Sequence, residues 1–169
     1  MDLTNLFPNR DQECAISALA NLLVLLHKDR PTAEKLYKEA RRHPFVFSNG
    51  GVIPTTVPAI LKASTNQYRA FVGARREYVA LYQQTAKMNY KSHVYDAYEA
   101  EVKRALASGE ITEEFYSGAN PAIIVTLTKP WDGHAMIYCG GNRFISNGDG
   151  IHIEPNSFII DATIEVRRI

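Results

Sequence analysis

Residues 11–23 read Asp11-Gln12-Glu13-Cys14-Ala15-Ile16-Ser17-Ala18-Leu19-Ala20-Asn21-Leu22-Leu23, a polar loop running into an almost wholly apolar helix. A helix that is apolar all round has no face to offer water, so it belongs at the buried centre of a domain. Cys14 then stands in its first turn, at the positive end of the helix dipole, which favours a thiolate. Two acids work against that: Asp11, the plausible N-cap, and Glu13. The plain alternative is a core cysteine, among the most buried of residue types. The helix runs to about His27, where Asp29-Arg30-Pro31 breaks it.

Outward from this stretch the pattern stays helical. A second, amphipathic helix opens at Pro31-Thr32 and ends before Pro44. Phe45-Val46-Phe47 is expected to be a short extended piece, and Thr55 or Thr56 to cap a short helix through Val57, Ile60 and Leu61. A strand is predicted from Tyr68 to Val72. Residues 75–107 are helical twice over, ended by Gly109, and Thr112 to Phe115 start a further turn. The tyrosines of this segment read as packing residues, because nothing basic is interleaved with them.

After Asn120-Pro121 the texture changes. Ala122–Leu127 and His134–Cys139 are β-rich runs, Gly140-Gly141-Asn142 supplies hairpin chemistry, and Arg143–Ser146 returns. Strands follow at about Ile151–Ile153 and Thr163–Val166. Helices first and an antiparallel sheet last give an α+β layout. A length of 169 residues fits one domain, 1–169, with 75–110 as a helical insertion.

Composition narrows the function classes. A net charge of +1 argues against a nucleic-acid partner, and the longest apolar block, Leu19–Leu26, is too short to span a membrane. The first residues show no signal peptide, so a cytoplasmic location with reduced Cys14 and Cys139 is expected; export by a specialised system stays open. No Cys-x-x-Cys or His-x-x-x-His pair suggests a metal, and nothing asks for a cofactor.

A nucleophilic Cys14 needs a base. Of the five histidines, only His134 opens a strong strand directly after a glycine, in Trp131-Asp132-Gly133-His134. A side chain there is held rigidly at the sheet rim. Asn147 and Asp149, in the turn after the return strand, are acceptors suited to fixing the imidazole tautomer, though either also serves as a plain turn residue. The Cys14 backbone N–H is one oxyanion donor, and the side-chain amide of Gln12 or Asn9 a second. Cys139 shares its strand face with Ala135 and Ile137 and is expected to be buried and inert.

Cys-Ala at the head of an apolar helix, after a polar loop with Gln, and then Asn-Pro-Ala-Ile-Ile-Val leading to Gly-His-Ala-Met-Ile-Tyr, resembles the papain-like cysteine peptidase superfamily. Residues 120–127 and 132–138 look like the bacteriocin-leader peptidase type. Residues 133–146 look like NlpC-type and CHAP-type cell-wall enzymes. The likeness covers about residues 5–27 and 119–153. It implies a papain-like fold with a buried Cys-bearing helix and a C-terminal antiparallel sheet. It also implies a Cys14–His134 pair with Asn147 or Asp149 orienting the base. The chain departs from the family where the oxyanion-hole Gln commonly lies a turn further upstream than Gln12. It departs again where a gap-free match puts Ser146 at the orienting position. The resulting expectation is a peptidase or other amide hydrolase acting on a peptide or protein through an acyl-enzyme. A peptidoglycan amidase or delivered toxin of related fold is the second reading. A non-catalytic module using 75–107 as a protein-binding surface is the third.

Overall fold

In the computed structural model, which describes residues 5–8, 12–116, 121–129, 132–140, 143–146, 151–153 and 159–169, the apolar run after Cys14 becomes helix α1, Cys14–His27. Ile16 through Leu23 and Leu25 are buried. Each fully covered leucine, such as Leu22 or Leu23, contributes about 1.5–3 kcal/mol of burial. Two polar residues interrupt the run, and both are used. Ser17 Oγ and Asn21 Nδ2 donate to the Phe7 carbonyl at 2.7 and 3.0 Å, and the Phe7 N–H donates to Asn21 Oδ1 at 2.7 Å. One turn apart on α1, they hold the incoming chain against the helix. The N-cap is Glu13, which makes no side-chain capping bond. The expected cap, Asp11, lies outside the described residues. Lys28, in the left-handed region with φ 55°, closes the C-terminus.

Asp29 caps α2 (Arg30–Glu39) by accepting from the Thr32 N–H at 3.1 Å, and a 3-10 turn follows at Ala40–Arg42. Phe45–Phe47 forms turns rather than the expected extended piece, with Phe45 and Val46 buried. A 3-10 turn at Pro54–Thr56 leads into α3 (Val57–Ser64), and the Thr56 hydroxyl bonds back to the Ile53 carbonyl instead of capping. Next come β1 (Tyr68–Ala74), α4 (Arg76–Asn89) and α5 (Ser92–Ser108). Gly109 ends α5 at φ 80°. The further turn predicted at Thr112 is replaced by a two-residue strand, β2 (Ile111–Thr112), followed by a bend. The remaining strands are β3 (Ala122–Lys129), β4 (Asp132–Tyr138), β5 (Arg143–Ser146), β6 (Ile151–Ile153) and β7 (Ile159–Arg168).

The strands form one mixed sheet in the order β2-β1-β7-β3-β4-β5-β6, parallel at β1–β2 and antiparallel elsewhere. The α+β class holds. The sheet is not purely C-terminal, however, because β1 from the helical half pairs along its whole length with β7. Val72, Ile123, Val125, Ala135, Ile137 and Ile164 bury one face in the same core as α1. On the other face Met136 and Phe144 make a small separate cluster.

The 75–110 segment packs into this core. Tyr82, Ala86, Tyr98 and Ala105 are buried with the leucines of α1, so α4 and α5 form a wall of the domain. Tyr82 and Tyr98 are packing residues, as their context suggested.

Candidate active site

Cys14 is the first residue of α1, and its approach is fixed from two sides. The Gln12 N–H donates to the Asn49 carbonyl at 3.2 Å. Glu13, 2 % exposed, accepts from Arg41 Nη1 at 2.6 Å, while Arg41 Nη2 donates to the Ser48 carbonyl at 3.2 Å. Gly50, at φ +90°, lies so close that a Cβ there would sit 2.4 Å from Glu13 Cγ. Only glycine both adopts that conformation and leaves that room. The sequence suggested that Glu13 opposes a thiolate. Its ion pair with Arg41 offsets most of that charge, so Glu13 serves to seat the loop before Cys14.

The Cys14 thiol is half-buried, and burial pushes its pKa up. The backbone amides of Ala135, Ala15 and Cys14 itself pull the other way. Two of these amides belong to the first turn of α1, whose N–H groups have no intrahelical acceptor. The third comes from β4. Burial wins, so the resting sulfur is a thiol and not the dipole-stabilised thiolate that the sequence pointed to. The amides remain available for a negative charge that develops later.

Ala135 directly follows His134, so the fold brings the strand of the predicted base against the predicted nucleophile. His134 is the third residue of β4, not the first, and is partly buried. It pairs with Thr126 of β3. Beside that pair the β3–β7 register shifts, from Val125↔Ala162 to Thr126↔Ile160, leaving Asp161 as the extra residue of a bulge. Gln12 is exposed at the rim of the cavity that Cys14 lines. Asn9, Asn147 and Asp149 lie outside the described residues. Cys139, expected to be buried, is instead half-buried at the end of β4, with its thiol 3.8 Å from the Ile137 carbonyl.

The cavity, about 250 Å³, runs from Cys14 between α4, the loop at Val52–Pro54 and the core face of β3 and β7. Also lining it is Asp161, which no sequence motif marks. It is 1 % exposed, and its Oδ2 accepts from the Tyr82 hydroxyl in a short hydrogen bond. Burial raises the pKa of its carboxyl, and burial beside that acid also raises the Tyr82 phenol. A strand bulge turns an extra residue toward one face. Nothing in Ile159-Ile160-Asp161-Ala162 marks such a bulge in advance. Among the described residues no cluster of three His, Cys, Asp or Glu side chains could hold a metal ion, and no helix is long and apolar enough to cross a membrane.

Comparison with protein-family models, with curated proteins and with solved structures found no match to this chain.

Proposed function

We propose that the protein is a papain-like thiol hydrolase that cleaves a peptide or other amide bond through an acyl-enzyme on Cys14. The observation that carries the reading is the meeting of the Cys14 sulfur with the backbone of Ala135, the residue next to His134. Strand alternation turns the Ala135 methyl into the core, so the His134 ring must reach the sulfur around the rim of β4.

The chemistry follows from the raised thiol pKa. His134 takes the thiol proton as sulfur attacks the carbonyl carbon, so the nucleophile forms only when substrate is present. The oxyanion lies near the Cys14 and Ala15 amides, with Gln12 at the rim as a further donor. The imidazolium returns its proton to the departing amine, leaving a thioester. Water, activated by the same imidazole, adds to the thioester; the acid leaves and the thiol is restored.

The test is turnover of a fluorogenic peptide pool together with iodoacetamide kinetics. Cys14→Ala and His134→Ala are expected to lower turnover by about a thousandfold or more while circular dichroism stays unchanged. With its pKa raised by burial, resting Cys14 should be alkylated no faster than glutathione near neutral pH, so turnover rather than resting reactivity carries the test. Full turnover by folded Cys14→Ala would overturn the reading, as would full turnover by folded His134→Ala.

A further inference from the structure

The cavity that Cys14 lines also takes in a buried acid whose hydrogen bonding is incomplete. Asp161 Oδ2 is taken by Tyr82, whereas Oδ1 is buried and accepts no hydrogen bond among the described residues. Leaving such an oxygen without a donor costs the fold its desolvation, which is rare in packed interiors unless something else occupies the site. The approach to it is apolar, through Val52, Ile53, Val57, Leu81, Val125 and Ile164. Cys14 and Asp161 therefore line one cavity whose walls are otherwise largely apolar.

We propose that this cavity is the recognition pocket for a lysine side chain of the substrate, its methylenes lying along the apolar walls and its ammonium meeting Asp161 Oδ1. The assignment deepens the hydrolase reading and rests on it for the word substrate; the amine-binding chemistry stands on the cavity alone. Lysine suits the site better than arginine. A guanidinium fork needs two free acceptors side by side, and Tyr82 already holds one carboxylate oxygen. An ammonium is a compact donor on an aliphatic stem, matching one open oxygen in a largely apolar cavity. Burial favours the neutral acid while the pocket is empty, and an arriving cation reverses that preference. The span also fits. Ala135, against the sulfur, and the Asp161 segment lie on strands separated by one intervening strand, a distance of roughly 10 Å.

The experiment uses the unmodified protein and two probes of equal length, n-butylamine and n-butanol, titrated by ligand-observed NMR. The amine is expected to bind about tenfold or more tightly than the alcohol, as for a charge-assisted hydrogen bond against a neutral one. Asp161→Asn should erase the difference. The wild-type comparison decides the matter even if that variant fails to fold. Equal binding of the two probes overturns the proposal, as does an amine preference that survives in folded Asp161→Asn. Peptide turnover gives the separate arm. Selective amine binding with no turnover supports the pocket and counts against the hydrolase. Turnover with no preference for lysine over norleucine leaves the hydrolase standing and overturns the lysine pocket.

Discussion

Two carboxylates are buried in the domain, one just before Cys14 and one lining its cavity, and they are treated differently. Glu13 is matched by a guanidinium: Arg41 spans from its Oε1 to the Ser48 carbonyl, tying the loop before Cys14 to the loop at residues 47–51. Asp161 faces a neutral phenol and, among the described residues, no cation. Both are as dry as the leucines of α1. A charge buried with its counter-charge is part of the scaffold. A buried acid whose side-chain partner is a neutral hydroxyl lacks that counter-charge, and in a cavity lined by a cysteine that lack is where recognition of a cation is expected. The same contrast holds for Glu110, which accepts from Arg104 and Ser108, and so belongs with Glu13 as structure.

The sharpest way to break the comparison is at Gly50. Gly50→Ala adds a Cβ at positive φ directly against Glu13, so it combines backbone strain with overpacking. A loss of about 3 kcal/mol in urea unfolding is expected. A loss below about 0.5 kcal/mol would mean that the Glu13 seat is soft. Next comes Arg41→Met, which leaves the Glu13 charge without its partner. Because Arg41 is 39 % exposed and water can reach the pair, the expected cost is about 2 kcal/mol, below that of a fully buried pair. Adding Glu13→Gln should recover most of it. The smallest effect is at Asp161. Its pKa is raised in the folded state, so the folded protein holds a proton that the unfolded chain has released. Its contribution is full below the ordinary aspartate pKa of about 3.9 and is lost as pH rises through the folded value. Asp161→Asn should therefore gain stability relative to wild type as pH rises above about 4. A constant difference across that range would place Asp161 with the paired acids.

What the sequence disclosed follows from what its residues can only do one way. Ile16–Leu25 has no polar face, so α1 had to be central, and the helices over 76–108 are written in their apolar spacing and in Gly109. The Cys14–Ala135 meeting was legible in outline, because a helix opening with Cys14 and a strong apolar strand carrying His134 both belong to one core, although the strand opens at Asp132 and not at His134. Pairings distant in sequence were not legible. The strand expected at 163–166 runs from Ile159 to Arg168, and its alternation is broken by the bulge at Asp161, which nothing in the local sequence marks. Glu13 was read as a charge near a thiol because nothing in the sequence shows that Arg41 returns to it.

The pairing of Tyr68 with Arg168 has a consequence for the order of events in folding. β1 is synthesised a hundred residues before the strand that lies between it and β3. Until β7 emerges, β1 has a bare edge and the apolar side of α1 lacks much of the sheet that covers it. Chaperones that hold nascent chains would meet this protein as a helical half with an unfinished sheet. Its slowest step is expected to be the insertion of β7 between strands already waiting for it.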